Sequence, residues 1–522
     1  MTPFLFGIDT LSVQDLIDIC TGNRTVQFGD EARSKVRKSA GYVEAIVEEG
    51  EVVYGINTGF GPLCNTVISK DKTAQLQDNI LRSHSVGVGK PIAPEIAKAM
   101  MVLKVHNLSM GFSGIQESTL DRIIFFIEND IIPVVPEQGS VGASGDLAPL
   151  AHLFLPLIGL GEVFFEGKRK ETAEVYQRFG LEPIQLKAKE GLALINGTQF
   201  IAAHLAWGVY RAHHLLNTAD IIGAMSLEGV LGSVSPFEEE LHKIRPYDGT
   251  RFVARRMREL LKDSEMVQSH ANCGRVQDPY SIRCMPQVHG SSRNAWLHVK
   301  QMVDVEINSV TDNPIILSEN EAISGGNFHG QPLALPADYL TLAAHEVGNI
   351  SDRRIYLLLE GGHPGLPKLL MDDIGLNSGF MIPQYTSAAL VSENKALCFP
   401  ASADSIPTSL GQEDHVSMGS ISSRKLNQVI SNLEQILAIE LVSAAQAFDF
   451  RRPMRSGPVL EACHELIRSH IDHADADRVF AEDIGKAHEL IKSYQLTQLA
   501  DKTAIKFNID LNGEFDELFR LS

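Results

Sequence analysis

The stretch RKLNQVISNLEQILAIELVSAAQAF, residues 424–448, decides the fold class. Apolar residues recur in it at the helical spacings of three and four, namely Leu426, Val429, Ile430, Leu433, Ile436, Leu437, Leu441 and Ala444. Ala438, Ile439 and Val442 fill the other faces. A helix that is apolar on most sides is buried among others, so this segment predicts a bundle centre or a subunit interface. Residues 337–360 follow a similar pattern.

Helical periodicity also dominates the rest of the chain. It predicts a helix capped by Ser12 and further helices over 30–50, 93–110, 116–129 and 196–217. Strand signals are few and short, at 51–54, 163–171 and 314–323. We therefore expect a mainly α protein: an elongated helical bundle with a loop-rich N-terminal portion and few short strands. An approximate boundary separates this N-terminal portion, 1–200, from a central bundle and C-terminal helices, 201–522.

Composition excludes several function classes. The chain has 522 residues, 44% of them hydrophobic, and a net charge of −19, which disfavours nucleic acid and anionic membranes as partners. The apolar stretch Leu147–Phe165 is interrupted by polar residues, prolines and glycines, so it is a poor membrane span. The first residues lack a basic region typical of a secretory signal, and we expect a cytoplasmic protein.

The cysteines and histidines do not follow metal-site spacing. The cysteines are far apart without a CxxC pair, which favours reduced thiols over a zinc knuckle or a disulfide framework: Cys20, Cys64, Cys273, Cys284, Cys398 and Cys463. The sequence HELIR at 464–468 is not HExxH. We expect no metal and no nucleotide.

Four loops hold small, polar and aromatic residues that packing does not require, and loops are where scaffolds carry chemistry. They are GINTGFG (55–61), GSVGASGDLAPL (139–150), QDPYSIRC (277–284) and GQEDHVSMGS (411–420).

The loop 139–150 admits several interpretations. Its second glycine comes one position too early for the Gly-x-Ser-x-Gly of a serine hydrolase, and no Gly-Lys-Ser/Thr marks a phosphate loop. Small residues would instead let the Gly145 nitrogen fold back onto the Ala143 carbonyl, and dehydration of Ser144 would then leave an electrophilic alkene. Asp146 is placed to cap the following helix. A plain glycine-rich turn in a non-catalytic scaffold is the remaining alternative.

The run Ala143–Leu150 resembles the prosthetic-group signature of the aromatic amino-acid ammonia-lyase family. Further stretches resemble family motifs in family order: Tyr54–Gly61, Asn196–Thr198, Gln277–Tyr280, Thr311–Pro314 and Gly325–Phe328. The resemblance implies that Ala143, Ser144 and Gly145 cyclise to 4-methylideneimidazol-5-one (MIO), with Asp146 assisting.

The resemblance also implies roles for residues around that group. Asn196 would hydrogen-bond the MIO oxygen, although it could also cap the helix that follows it. Tyr54 would remove the substrate's β-proton, and Tyr280 is the alternative base or a ring-positioning residue. Arg283 would bind the substrate carboxylate through its planar fork, with a surface salt bridge as its structural alternative. Phe328 would pack against MIO and exclude water, or belong to the core.

The substrate follows from two stretches that resemble family members acting on histidine, Ser83-His84 and Gln412-Glu413-Asp414. An imidazole offers hydrogen-bonding nitrogens to His84 and Glu413, whereas a benzene ring would leave a buried carboxylate unpaired at a cost of about 1–3 kcal/mol. The implied reaction converts L-histidine to trans-urocanate and ammonia, the first step of histidine degradation. Whether the amine or the imidazole attacks MIO stays open.

The alternative substrates are phenylalanine and tyrosine, for a lyase or a 2,3-aminomutase. Three stretches depart from the pattern of histidine enzymes and bear on selectivity: Gly411, Cys398-Phe399 and His329-Gly330-Gln331. The resemblance further implies a homotetramer whose active sites are shared between subunits.

Overall fold

The computed structural model describes residues 2–50, 52–59, 61–63, 65–271, 274 and 276–522. Helices dominate these residues. In chain order they are α1 Val13–Cys20, α2 Asp30–Glu49, α3 Thr73–His84, α4 Pro94–Ser109, α5 Glu117–Glu128, α6 Leu147–Phe154, α7 Thr172–Phe179, α8 Glu190–Ile195, α9 Gln199–Gly229, α10 Glu239–Lys243, α11 Asp248–Leu260, α12 Glu265–Ser269, α13 Tyr280–Arg283, α14 Met285–Glu306, α15 Gln331–Leu359, α16 Met381–Leu397, α17 Gly419–Asp449, α18 Pro458–Arg468, α19 Phe480–Lys492 and α20 Gln495–Lys506.

Short strands form small separate sheets. The strands are β1 Phe4–Leu5, β2 Val26–Gln27, β3 Val88–Pro91, β4 Ile132–Pro133, β5 Pro136–Gln138, β6 Glu162–Phe165, β7 Lys168–Glu171, β8 Ile315–Ser318 and β9 Glu321–Ile323. The pair β1–β2 is parallel, whereas β3–β5, the sheet β4–β6–β7 and the hairpin β8–β9 are antiparallel. The mainly α prediction is confirmed, and each of the predicted strand segments 163–171 and 314–323 forms two antiparallel strands joined by a turn.

The core is a bundle of long helices in which α17 packs against α9 and α15, and α14 against α15. Every residue of α17 from Ile436 to Phe448 is buried, as its apolar pattern predicts. One of those residues is charged: Glu440 accepts a hydrogen bond of 2.9 Å from Arg354 of α15, and both side chains are wholly buried. A buried charge is tolerated only when it is paired in this way.

The predicted strand over 51–54 is wrong for its described residues. Residues 52–54 enter a turn, because the Asn57 side chain accepts a hydrogen bond of 2.9 Å from the Val53 nitrogen. A side-chain acceptor of this kind competes with strand pairing. Glu51 lies outside the described residues.

Two further sequence expectations concern thiols and membrane segments. The cysteines within the described ranges are free: Cys20, Cys284, Cys398 and Cys463. Cys64 and Cys273 lie outside the described residues. In the part of the chain that the structure covers, no helix combines the length and the apolar character needed to cross a membrane.

Candidate active site

The loop that contains Ala143, Ser144 and Gly145 lies between the beginnings of α9 and α17. The Met418 nitrogen, just before α17, donates a hydrogen bond of 2.9 Å to the Val141 oxygen. On the other side, the Asp146 nitrogen donates one of 2.8 Å to the Gly197 oxygen. Two bundle helices therefore fix the loop from opposite sides.

Gly145 is required by this geometry. Its φ is +73°, and an added Cβ would lie 2.1 Å from the Gly197 oxygen. The backbones of Ala143 and Gly145 pair with each other although only one residue separates them. A glycine at 145 thus permits the sharp fold-back that ring closure onto the Ala143 carbonyl requires.

Asn196 faces the loop from the end of α8. Its side-chain nitrogen donates a hydrogen bond of 3.1 Å to the main-chain oxygen of Ser144. The residue that caps α9 is Thr198, whereas Asn196 follows the last residue of α8, so the helix-capping alternative for Asn196 is wrong. The amide is free to serve the Ser144 oxygen because a different residue occupies the capping position.

Asp146 does not cap α6, contrary to the sequence expectation. It stands at the position before that helix, but its carboxylate bonds elsewhere: Oδ2 accepts from the Ile201 nitrogen at 3.0 Å and Oδ1 from the Ser140 hydroxyl at 3.0 Å. Ile201 lies in the first turn of α9, so the carboxylate satisfies a free N–H of that helix. Asp146 is wholly buried, and burial raises its pKa to about 7.

Ser144 opens into a cavity of about 440 Å³, a size typical of small-molecule sites. Tyr54, His84, Asn196 and Glu413 also line it. The structure thus brings together five predicted residues from separate parts of the chain.

Glu413 contacts the loop directly. The Ser144 hydroxyl donates a hydrogen bond of 2.6 Å to Glu413 Oε1. The other carboxylate oxygen accepts from Thr408 at 2.7 Å and from Ser409 at 2.9 Å. These two hydroxyls fix the carboxylate so that Oε1 faces Ser144. Thr408 and Ser409 are not among the residues predicted from the sequence, although two hydroxyls shortly before the Gln412-Glu413-Asp414 motif are a signal for them.

His84 is the last residue of α3, at the wall of the same cavity. Its Nδ1 lies 3.0 Å from the Ser83 hydroxyl. Burial lowers the pKa of His84 below its usual range, which favours the neutral imidazole at pH 7. A neutral imidazole can donate from one nitrogen and accept at the other.

A second cavity, of about 510 Å³, adjoins the first and shares Tyr54, Ser144, Asn196 and Glu413 with it. Phe328 and Ala143 line only this second cavity among the predicted site residues. Phe328 is half-buried and faces the space beside the loop, so it is not a plain core residue.

Tyr280 and Arg283 lie elsewhere. They form the two ends of the short helix α13, where the Arg283 guanidinium carbon stands 4.5 Å from the centre of the Tyr280 ring. Tyr280 is 70% exposed. Arg283 lines a separate groove with Gln277 and Asp278, and the described residues around the two Ser144 cavities include neither Tyr280 nor Arg283.

The chemistry of the cavity residues is that of acids, bases and hydrogen-bond donors. Across the described ranges, no group of three or more His, Cys, Asp or Glu side chains is arranged to hold a metal ion. The hydroxyl of Ser144 donates to a carboxylate, whereas the serine of a Ser-His-Asp triad donates to a histidine.

Comparisons with known proteins agree with this arrangement. Histidine ammonia-lyase of Myxococcus xanthus is 46% identical over 489 residues, covering 94% of this chain and 96% of the relative. The crystal structure of histidine ammonia-lyase from Trypanosoma cruzi superposes with a TM-score of 0.89 at 40% identity, covering 96% of each chain. Tyrosine aminomutase from Streptomyces globisporus has a TM-score of 0.91 at 35% identity, covering 96% of this chain and 99% of its own. The family profile described as aromatic amino acid lyase matches residues 11–469. The chain therefore belongs to the aromatic amino acid lyase family.

Proposed function

We propose that the protein removes ammonia from L-histidine to give trans-urocanate. The observation that carries this proposal is the single cavity in which Ser144, Glu413 and His84 meet. The relatives named histidine ammonia-lyase, at nearly half identity over almost the whole chain, support the same substrate.

The residues present fit the formation of MIO from Ala143, Ser144 and Gly145. The Gly145 nitrogen would bond to the Ala143 carbonyl carbon, whose oxygen leaves as water. Ser144 would then lose its α-hydrogen and its hydroxyl as a second molecule of water, which creates the exocyclic double bond. Two observations support this assignment. A Cβ would fill the space around Gly145, and Asn196 donates a hydrogen bond to the main-chain oxygen of Ser144.

When formed, MIO supplies an electrophilic alkene that activates the substrate for loss of ammonia. The main-chain oxygen of Ser144 becomes the ring oxygen, so the Asn196 amide is placed to stabilise negative charge on that atom. Phe328 offers an apolar face on the second cavity and would exclude water from the alkene.

Glu413 and His84 would hold the substrate imidazole. Loss of the Ser144 hydroxyl during ring formation frees Glu413 Oε1, which can then accept a hydrogen bond from an imidazole N–H. A charge-assisted hydrogen bond of this type contributes about 1.5–3 kcal/mol. His84 offers a second hydrogen-bonding ring at the cavity wall. A phenylalanine side chain could use neither contact.

Tyr54 is the proposed base for the β-proton. Its phenol oxygen accepts a hydrogen bond of 3.2 Å from the Gly61 nitrogen, and a donor at this atom stabilises negative charge on it. Tyr54 lines both cavities beside Ser144, whereas Tyr280 of the same chain lines neither.

We further propose a homotetramer in which a neighbouring subunit supplies Tyr280 and Arg283 to each cavity. The exposure of Tyr280 and the separate groove of Arg283 support this arrangement. The substrate carboxylate needs a local cation in a protein with a net charge of −19, and a planar guanidinium binds carboxylates in a bidentate manner.

The direct test offers L-histidine, L-phenylalanine and L-tyrosine separately to the purified protein and follows the α,β-unsaturated acid by absorbance and the amino acid by chromatography. We expect trans-urocanate from histidine. Exclusive turnover of phenylalanine or tyrosine, or a β-amino acid as the main product, would support the lyase or aminomutase alternative instead.

A further inference from the structure

Lys104 lies in α4 beneath the loop, and none of its side chain is exposed. Its ammonium group donates a hydrogen bond to the main-chain oxygen of Asn196. The charged groups that face it are Asp312, Lys189 and Asp146. Lys189 and Asp312 bind each other at 2.6 Å, and the Asp146 carboxylate accepts from Ser140 and Ile201. Burial lowers the pKa of Lys104 to about 7, partly offset by Asp312. A lysine is almost never wholly buried without a specific partner, and here that partner is Asn196.

The position of Asn196 depends on this contact. Asn196 follows the last residue of α8, so its carbonyl needs a donor from outside that helix. The Asn196 side-chain oxygen is buried, and no donor among the described residues reaches it. Two features therefore orient the Asn196 amide: the hydrogen bond from its side-chain nitrogen to Ser144, and the position of the Asn196 backbone. Lys104 holds that backbone.

Gly197, the residue after Asn196, also holds the loop that contains Ser144. The main-chain oxygen of Gly197 accepts a hydrogen bond from the Asp146 nitrogen, and the backbone of Gly197 pairs with that of Gly145. A shift at Asn196 would therefore move the amide donor relative to a loop that Gly197 holds in place.

We infer that Lys104 is a positioning residue that acts through Asn196 on the oxygen of Ser144. This inference rests on the proposed function, in which that oxygen belongs to the MIO ring. Lys104 itself lines neither cavity at Ser144, so its effect reaches the substrate only through the turn that begins at Asn196.

The first experiment compares Lys104→Met with Lys98→Met. Lys98 is on the same helix, is 7% exposed and donates to Asp130 at 2.5 Å, so its loss removes a similar buried ammonium that serves a different partner. We expect Lys104→Met to lower kcat by about 10- to 100-fold, part of the loss typical of a missing oxyanion donor, with KM changed by less than about threefold. Lys98→Met should keep kcat within about threefold of wild type. Equal losses in both variants would overturn the inference.

Two further readouts separate positioning from general damage. The absorbance band of the matured ring should shift in Lys104→Met in the same direction as in Asn196→Ala, because both lose the hydrogen bond to the ring oxygen, and should stay in place in Lys98→Met. In an Asn196→Ala background, Lys104→Met should change kcat by less than about threefold, since coupled residues are not additive. Full additivity, or an unshifted band, would overturn the inference.

If Lys104→Met does not fold, Lys104→Gln takes its place in the same cycle. This shorter, neutral donor should lower kcat by about 3- to 10-fold alone and have little effect beside Asn196→Ala. An unchanged kcat, or an undiminished effect in that background, counts against Lys104. Failure of the proposed function is distinguishable, because wild type itself would then fail to turn over histidine.

Discussion

The side-chain nitrogen of Asn196 lies 3.1 Å from the main-chain oxygen of Ser144, and it donates a hydrogen bond to it. This contact joins the end of α8 to the loop that precedes α6. If the Ser144 oxygen becomes part of the ring, the same contact stabilises negative charge that grows during the reaction.

Replacing Asn196 by Ala should lower kcat by about 100- to 1000-fold while KM changes only a few-fold, because the contact strengthens in the transition state. Steady-state kinetics with L-histidine measure both constants. Asn129→Ala, which removes a side-chain amide bonded to Phe125 on α5, is the control and should retain wild-type kinetics. A change confined to KM would contradict the assigned role of Asn196.

Glu413→Gln should lower kcat/KM for L-histidine by about 10- to 100-fold, because a neutral amide replaces the carboxylate that accepts the imidazole N–H. Any residual turnover of L-phenylalanine should be unchanged or higher. Asp404→Asn removes a carboxylate from the same segment but outside both Ser144 cavities, so it should behave as wild type. Parallel losses on both substrates would argue that Glu413 does not read the substrate ring.

Subunit complementation tests the shared site. Tyr54→Phe and Arg283→Met should each be nearly inactive alone, but their co-expression should restore about a quarter of wild-type activity, the chance that both contributing chains are intact at one site. Tyr54→Phe mixed with Glu413→Gln is the matched control: both residues line the same cavity of one chain, so no recovery is expected. No recovery in the first mixture would place Tyr54 and Arg283 in a site built by one chain.

The free energy of unfolding should depend on pH through the protonation of Asp146. Its pKa is raised by burial to about 7 in the folded protein, whereas an unfolded aspartate titrates near about 3.9. Between these values the folded state holds a proton that the unfolded state releases. The stability contribution of Asp146 is therefore complete below about pH 4 and is lost as the pH rises through about 7, by up to about 1.4 kcal/mol per unit.

The matched variant is Asp146→Asn, which stays neutral. The melting temperature of wild type minus that of Asp146→Asn should fall steadily from about pH 4 to about pH 7 and then level off. A series with Asp404→Asn corrects for the loss of a carboxylate. A difference that is constant across this range would show that Asp146 does not titrate there.

Gly145→Ala should block ring formation. Its Cβ would meet the Gly197 oxygen at 2.1 Å at a residue whose φ is +73°. Gly167→Ala is the matched control, since Gly167 has a φ of +71° but nothing within 4 Å of an added Cβ. Both variants pay about 1–2 kcal/mol for the left-handed backbone, whereas the clash affects only Gly145→Ala. Catalytic activity should therefore be lost in Gly145→Ala alone, and equal activities would contradict the assigned need for clearance.

The sequence predicts the helices well because their signal is local. The apolar pattern of 424–448 is one-dimensional, and the structure buries that segment inside α17 as expected. The predicted cap by Asp146 is wrong because the hydrogen-bond partner of its carboxylate is distant in sequence. A local rule assigns its carboxylate to the helix that follows, but folding brings the first turn of α9 within 3.0 Å. A partner 55 residues away cannot be read from local spacing.

The residues of the candidate site also fall into those that the sequence identifies and those that only the packing of the chain reveals. The family resemblance identifies Tyr54, His84, Asn196 and Glu413, and the structure places them around Ser144. Sequence reasoning did not single out Lys104, because one lysine in an apolar helix usually extends its charge to solvent. Its burial, and the separation of Arg283 from the cavity, depend on tertiary and quaternary packing.

Every proposed role in the cavity depends on an electrophile formed by Ala143, Ser144 and Gly145. High-resolution mass spectrometry of the proteolytic fragment that carries residues 139–150, taken from the active protein, tests it directly. We expect a fragment lighter than its sequence by two molecules of water, with the loss confined to residues 143–145. A fragment of unmodified mass from fully active protein would show that the enzyme works without this electrophile.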